Sequence, residues 1–80
     1  MGQVCLSKEI VLSNLAENIK TARKNQNISQ EELAFRINSA RNFVGCIERA
    51  EKSPTIYTLY KISNALELSL SEILENVDRT

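Results

Sequence analysis

A short run of side chains near the middle of the chain has the chemistry needed to read the edges of nucleic-acid bases. The run is Arg41, Asn42 and Phe43. An arginine can donate two parallel hydrogen bonds to guanine, and an asparagine can pair in the same way with adenine. Alternatively, Arg41 is a solvated surface charge, Asn42 grips a phosphate oxygen, and Phe43 packs at the edge of the protein core. The three residues are therefore candidate base contacts.

The residues after this run extend the candidate surface if they are helical. With Val44 and Ile47 facing the core at about 100° per residue, the opposite side of the helix is exposed. Cys46 and Arg49 lie on that side, and Gly45 lies beside them. A helical glycine costs about 0.5–1 kcal/mol relative to alanine, so Gly45 predicts the close approach of another group. The predicted base contacts are Arg41, Asn42, Phe43, Gly45 and Cys46.

Polar residues on either side of this helix are candidate phosphate contacts. Gln30 stands at a predicted helix start, where free amides and the helix dipole attract an anion. Arg49, Lys52 and Ser53 follow the candidate base-reading helix, where a nucleic-acid backbone would pass. Lys24 and Lys61 are weaker candidates, each with a simpler interpretation as a solvated surface group.

Two helices joined by a tight turn are predicted to position these groups. Ser29 and Glu32 have the spacing of a capping box, in which the hydroxyl accepts an amide hydrogen bond and the carboxylate reaches back. Ala34 supplies a small residue where two steeply inclined helices cross, and Asn38 tolerates the positive φ of a turn. With a turn of about three residues, these features predict a helix-turn-helix from Gln30 to about Arg49.

Helical periodicity extends over the rest of the chain, so the predicted fold class is all-α. A first helix is expected over Ser13–Asn25, and Ile10–Leu12 either extend it backwards or pack as a short arm. Thr55 is expected to cap a fourth helix, and Ser69 to Glu72 form a second capping box that opens a fifth.

Charge is distributed unevenly, although the ten basic and ten acidic residues cancel overall. Between Lys20 and Lys61 there are eight basic and four acidic residues, a net charge of +4. From Ile62 to Asp78 there are four acidic residues and no basic ones, a net charge of −4. This polarity suits a domain that presents a basic face to phosphate, although a chance unevenness of a solvated surface gives the same pattern.

Several functional classes are disfavoured by what the sequence lacks. The chain has no histidine, and its cysteines, Cys5 and Cys46, are isolated, so we expect no metal site, disulfide, cofactor or catalytic residue. No apolar run reaches the roughly 18–20 residues that span a bilayer, and no effector domain is recognisable. We therefore expect a cytoplasmic protein that is not an enzyme and binds neither a membrane nor a small-molecule ligand.

The stretch Leu15–Leu74 resembles the phage repressor and Cro (XRE) family of helix-turn-helix regulators. The resemblance rests on Asn18-Ile19-Lys20 through Arg23-Lys24, Ser29-Gln30-Glu31-Glu32-Leu33-Ala34, Ile47-Glu48-Arg49, Ser53-Pro54-Thr55 and Leu68-Ser69-Leu70-Ser71-Glu72-Ile73-Leu74. It implies a five-helix, lambda-repressor-like domain with helix three in the major groove and a dimer made by the C-terminal part. It also implies Gln30 on the DNA backbone, Arg41 and Asn42 at base edges, and a structural ion pair between Arg23 and Glu48.

Within the family, Arg41-Asn42-Phe43-Val44, Ile47-Glu48-Arg49 and Pro54-Thr55 look most like the controller proteins of restriction-modification systems. Asn38 and Ala50 depart from the family pattern, which usually has glycine at both positions. Ala40 stands where the family usually has a serine or threonine cap, so Ser39 is expected to cap instead. Since a left-handed alanine costs about 1 kcal/mol, we expect the loop after helix three to differ from the family at Ala50.

These inferences lead to a functional hypothesis with one serious rival. The chain is predicted to divide into an N-terminal extension or arm, residues 1–12, and one DNA-binding and dimerisation domain, residues 13–78. A homodimer is expected to bind double-stranded DNA at a two-fold related operator, with half-sites about 34 Å or a multiple apart, and to control its own promoter. The predicted dimer contacts are Leu70, Ile73, Leu74 and Val77. The rival is an adaptor or antitoxin that uses the same fold to bind a protein.

Overall fold

The structure, a computed structural model, describes residues 5–79 and contains five α-helices and no strand within that range. The helices are α1 (Lys8–Asn25), α2 (Gln30–Arg36), α3 (Phe43–Glu48), α4 (Ile56–Ala65) and α5 (Leu70–Ile73). The predicted all-α fold with five helices is confirmed. Residues 1–4 of the predicted N-terminal extension lie outside the described residues.

The first helix begins five residues before the predicted start at Ser13. Its N-cap is Ser7, whose hydroxyl accepts a hydrogen bond from the amide of Ile10 at 3.3 Å. Val11 and Leu12 are half-buried and continue the face that carries Leu15 further along the helix. Of the two alternatives for residues 10–12, the structure therefore has the helical extension.

One apolar core joins all five helices. The buried apolar residues are Leu15, Ala16, Ile19, Leu33, Ala34, Ile37, Val44, Ile47, Leu59, Ile62, Leu66 and Ile73. α3 packs against both α1 and α2, while α4 packs against α5 and α2. Val44 and Ile47 face the core as predicted, because apolar spacing decides which side of a helix leaves water. The same spacing groups Ile56 with the buried Leu59 and Ile62 of α4, but Ile56 is 63% exposed.

Non-glycine residues with a left-handed conformation follow the ends of the helices. Asn27, Asn38, Ala50 and Glu67 have φ values of 58, 57, 59 and 60°. After α2 and α3, the next amide reaches back to a helix carbonyl at 2.9 Å, from Ser39 to Ala34 and from Glu51 to Cys46.

Asn38 therefore adopts the positive φ predicted for it. The expectation that the loop would differ at Ala50 is wrong. Ala50 takes the left-handed conformation, and the amide of Glu51 caps α3 as in any such helix end.

The helix starts confirm some predicted caps and correct others. Thr55 caps α4, and Ser69 and Glu72 form the complete capping box of α5. Ser29 caps α2, but the carboxylate of Glu32 pairs with Arg36 one turn later at 2.9 Å instead of reaching back. The opposite charge at i+4 thus competes successfully for this carboxylate.

Ser39 does not cap α3, contrary to expectation. Its hydroxyl donates a hydrogen bond to the carbonyl of Ala34 at 3.2 Å, and α3 starts after Asn42 with no side-chain cap. Ser39 therefore stabilises the end of α2.

Two asparagines on α1 hold the last segment of the described chain. The Nδ2 group of Asn18 donates to the carbonyls of Ile73 and Glu75 at 2.8 and 2.9 Å. One turn earlier, Nδ2 of Asn14 donates to the carbonyls of Val77 and Arg79, both at 3.0 Å. These bonds satisfy carbonyls that have no partner within α5, so the segment after α5 is fixed along α1.

None of the helices within residues 5–79 has the length and apolar character required to cross a membrane.

Candidate nucleic-acid interface

The predicted helix-turn-helix lies where the sequence placed it. α2 begins at Gln30, and α3 ends at Glu48 with Arg49 as its C-cap. The connection is longer than predicted, because residues 37–42 separate the two helices instead of about three residues. Arg41 and Asn42 consequently lie exposed in the turn ahead of α3, and Asn42 is its N-cap.

Buried contacts hold α3 against the rest of the domain. Val44 and Ile47 are 0% and 2% exposed, and they meet Ala34 of α2, which is 0% exposed. Phe43 is half-buried and packs against the same core. Phe43 thus packs at the edge of the core, as the alternative interpretation has it, and the rest of its side chain is accessible to solvent.

An ion pair joins α1 to the end of α3. Nε and Nη2 of Arg23 donate to the two carboxylate oxygens of Glu48 at 2.7 and 3.0 Å, and Nη1 donates to the carbonyl of Ile28 at 2.9 Å. The side-chain Nε2 group of Gln30 donates to the same carboxylate at 2.9 Å. The pair implied by the family resemblance is present, and it also anchors the side chain of Gln30.

Burial and hydrogen bonding oppose each other at Glu48. Burial raises the pKa of the carboxyl, whereas hydrogen bonds from Arg23 and Gln30 and the charge of Arg23 lower it. The lowering is the larger effect, so the pKa of Glu48 lies below the ordinary value. The pKa of Arg23 is raised, chiefly by its hydrogen bond with Glu48. The pair is therefore ionised at neutral pH.

Gly45 is buried, so its predicted place on the exposed side of α3 is wrong. A Cβ atom here would lie 3.1 Å from Oε1 of Gln30 and 3.2 Å from Nη1 of Arg49. The close approach predicted for this glycine is therefore made by the protein's own side chains. Gly45 lets Gln30 and Arg49, two predicted phosphate contacts, lie side by side across α3.

The exposed half of α3 carries Cys46 and Arg49 next to each other. Nη2 of Arg49 lies 3.6 Å from the Sγ atom of Cys46, and its Nε donates to Glu51 at 2.9 Å. The mutual hydrogen bond lowers the pKa of Glu51 and raises that of Arg49. Both side chains are more than half exposed, so solvent screens this pair. Glu51, which the sequence did not single out, thus compensates part of the charge of Arg49.

Two other candidate cations are unpaired. Arg41 and Lys52 are exposed, and neither forms an ion pair with any carboxylate of residues 5–79. Ser53 is exposed beside Lys52 in the loop between α3 and α4. These groups are therefore available to an anionic partner.

The predicted dimer residues separate into two groups. Ile73 is 1% exposed and belongs to the core, so its predicted role as a surface contact is wrong. Leu70, Leu74 and Val77 are half-buried and pack against that core. α5 ends at Ile73, and Leu74 and Val77 lie in the turns after it.

An exposed aromatic pair on α4 was missed by the sequence reasoning. Tyr57 and Tyr60 are 66% and 52% exposed, and Ile56 beside them is 63% exposed. A helical projection of α4 gives the signal for the two rings, because Tyr57 and Tyr60 each lie about 160° around the helix from a buried residue, Leu59 and Ile62 respectively.

The matched family model defines the class of this protein. The helix-turn-helix family HTH_3 matches residues 19–73, which include both helices of the motif and most of the core. The chain belongs to this family of DNA-binding transcription regulators. Its resemblance to XRE-type regulators is confirmed.

Individual relatives include control proteins of restriction-modification systems. Control protein C.SmaI of Serratia marcescens is 38% identical over 60 residues, which cover 75% of this chain and 71% of that protein. The restriction-modification controller C.AhdI of Aeromonas hydrophila superimposes with a TM-score of 0.75 at 27% identity, over 78% of this chain and 94% of that one. The hypothetical transcription factor NHTF of Neisseria has a TM-score of 0.79 at 26% identity, over 92% and 85% of the two chains.

Proposed function

We propose that this regulator binds a two-fold related DNA operator as a homodimer and controls its own promoter, as part of a restriction-modification system. The main support is a group of side chains at the start and outer side of α3, a helix fixed by buried contacts: Arg41 and Asn42 are exposed just ahead of it, and Cys46 on it is partly exposed. The similarity to control protein C.SmaI and to the controller C.Esp1396I, whose structure is a tetramer on its natural 35 base-pair operator, supports this proposal. It includes a cytoplasmic location and no catalytic step.

We assign base contacts to Arg41, Asn42, Phe43 and Cys46. Arg41 has the strongest case because its guanidinium is exposed and free of ion pairs within residues 5–79. Its two parallel donors fit guanine in the major groove. Gly45 serves indirectly, since it gives Gln30 and Arg49 room to cross the helix.

We assign phosphate contacts to Gln30, Arg49, Lys52 and Ser53. Gln30 and Arg49 lie together across Gly45, and Lys52 and Ser53 continue the same polar surface along the chain. Binding by Arg49 requires it to exchange Glu51 for a phosphate, which an exposed and screened ion pair permits at little cost. These contacts position the domain without selecting a sequence.

The homodimer follows from the two-fold symmetry expected of such operators. Leu70, Leu74 and Val77 are one candidate surface for it, because each is only partly buried. A second candidate surface is formed by Ile56, Tyr57 and Tyr60 of α4, whose side chains are each more than half exposed.

Selection of bound sequences from a random DNA pool tests the proposal. We expect a two-fold related motif, and affinity for it that falls log-linearly with salt because phosphate contacts release counterions. Arg41→Ala should weaken binding to the selected site by about 1–3 kcal/mol and leave random-DNA binding nearly unchanged. Lys52→Ala is the control, since loss of a phosphate contact should weaken both complexes alike. No enrichment, with weak binding to every DNA, would contradict the proposal and favour an adaptor or antitoxin that binds a protein.

A further inference from the structure

Two polar side chains from different helices meet over Gly45. The Oε1 atom of Gln30 and the Nη1 atom of Arg49 lie 3.1 and 3.2 Å from the position that a Cβ atom of residue 45 would occupy. Gln30 is the first residue of α2, and Arg49 is the C-cap of α3. The two side chains can come so close because Gly45 has no side chain of its own. We call these three residues the Gly45 site.

The Gln30 part of this site is fixed within the domain. The Nε2 group of Gln30 donates to Oε1 of Glu48 at 2.9 Å, and Nε of Arg23 holds the other oxygen of that carboxylate at 2.7 Å. A carboxamide nitrogen carries two protons, and the bond to Glu48 uses one of them. Gln30 makes no other side-chain hydrogen bond within residues 5–79, so the second proton is available to a ligand. A donor held in place before binding loses less entropy on association.

Arg49 brings to the site a nitrogen that is also unused. Its Nε and Nη2 atoms donate to the two carboxylate oxygens of Glu51 at 2.9 and 3.3 Å. Nη1, the nitrogen beside Gln30, donates to no group among residues 5–79. A phosphate above Gly45 can therefore bond to Nη1 first, and the exchange of Glu51 for that phosphate follows from this contact.

The free donors of the Gly45 site suit one phosphate group. A guanidinium and a carboxamide each offer an N–H there, whereas the oxygens of a phosphate only accept hydrogen bonds. Bonds from a charged donor to a phosphate are short and strong, and two donors on one phosphate also fix its orientation. The nearby carboxylate of Glu48 does not oppose the anion, because Arg23 compensates its charge at 2.7 Å.

We propose that Gln30 and Arg49 bind the same phosphate of each operator half-site, and that Gly45 is the positioning residue that brings them together. The inference rests on the proposed function, which gives each residue a phosphate contact and leaves open whether the contact is shared. A Cβ atom at residue 45 would have to displace one of its neighbours. Gln30 is tied to Glu48, whereas the side chain of Arg49 is more than half exposed, so we expect Arg49 to move away.

Neutral phosphate replacements in the selected operator test the shared contact. Each phosphate of a half-site is replaced in turn by a methylphosphonate, which removes its charge. At one position we expect wild type to lose about tenfold or more in affinity, as for hydrogen bonds to a charged group. The loss at that position should shrink in Gln30→Ala and in Arg49→Ala, and should fall to within about twofold in the double variant. Lys52→Ala is the matched control, since its loss should shrink at a different phosphate.

Gly45→Ala tests the positioning role and leaves both contact residues in the chain. Alanine is a better helix former than glycine, so the urea midpoint should not fall. Operator affinity should nevertheless fall by about three- to tenfold, with a shallower dependence on salt, because the phosphate loses its charged partner. In an Arg49→Ala background, the same substitution should change affinity by less than about twofold. A urea midpoint that falls together with affinity would assign Gly45 to folding alone and overturn its positioning role.

The identity of the affected phosphate separates this inference from the proposed function. A wild-type protein that selects a two-fold motif, with Gln30→Ala and Arg49→Ala affecting different phosphates, refutes the shared site and leaves the proposed function standing. A loss of base preference in Arg49→Ala, with every methylphosphonate acting as in wild type, would place this arginine on a base edge and also refute the shared site. A wild-type protein that selects no sequence refutes the proposed function and the shared site with it.

Discussion

Replacing Glu48 by alanine removes the acceptor that Arg23 and Gln30 share, and this is the most informative single change in the domain. The side chains of Arg23 and Glu48 are 10% and 3% exposed, so the guanidinium would lose its counter-charge where water replaces it poorly. Truncating one partner of a buried ion pair typically costs about 3–5 kcal/mol. The bond from Arg23 to the carbonyl of Ile28 survives, so we expect a loss near 3 kcal/mol, at the lower end of that range.

That loss is a large share of the total stability. A domain of this length is stable by about 4–12 kcal/mol. Urea unfolding followed by circular dichroism should therefore show a much lower midpoint for Glu48→Ala than for wild type. Both proteins are measured at the same concentration, because self-association also shifts the midpoint.

Two controls isolate burial as the cause. Glu51→Ala breaks the Arg49 pair, which has the same kind of contact at 2.9 Å but is more than half exposed on both sides, and it should leave the midpoint unchanged. Combining Arg23→Met with Glu48→Leu should recover most of the loss, because no charge is then left unpaired. Equal effects of Glu48→Ala and Glu51→Ala would refute the reasoning.

Three further predictions concern pH, backbone conformation and the reading surface. The folded-state pKa of Glu48 lies below the unfolded value of about 4.3, so the stabilisation by its carboxylate is complete above that pH and is lost as the pH falls through the folded value. The urea midpoint of Glu48→Gln should therefore change less with pH between pH 3 and about 5 than that of wild type. Ala50→Gly should stabilise the protein by about 0.5–1 kcal/mol, since the φ of 59° at this residue suits glycine better than alanine. Ala40→Gly, at an exposed position without a positive φ, is the control and should not stabilise it. Equal shifts of the thermal midpoint in the two variants would count against this explanation. In a Cys5→Ser background, alkylation of Cys46 with N-ethylmaleimide should weaken operator binding at least about tenfold, because it adds bulk on the base-reading side of α3. Bound operator should in turn slow the alkylation. Unchanged affinity after full labelling would show that Cys46 does not contact DNA.

Helix periodicity carried most of the fold, because apolar spacing determines which side of a helix is buried. It gave five helices, the inner faces and the extent of the helix-turn-helix. The start of α1 could not be decided from the sequence, because Ser7 and Ser13 are both acceptable caps and only the tertiary packing of Val11 and Leu12 separates them.

Other features could not be derived from local patterns. The burial of Gly45 depends on side chains of Gln30 and Arg49 that reach across α3 from other positions. The left-handed conformation of Ala50 opposes the intrinsic preference of alanine, and it persists because the amides that follow α3 bond to its carbonyls. Propensity alone cannot weigh a backbone cost at one residue against hydrogen bonds made by its neighbours.

The asparagine contacts between α1 and the segment after α5 have a consequence for synthesis. Asn18 and Asn14 bind carbonyls 55 to 65 residues further along the chain, so α1 receives these partners only after the segment that follows α5 has been made. A chain that stops before Ile73 would expose both side-chain amides and the apolar surface that α5 covers. Aborted translation products should therefore be cleared by proteolysis instead of competing with the full regulator for DNA.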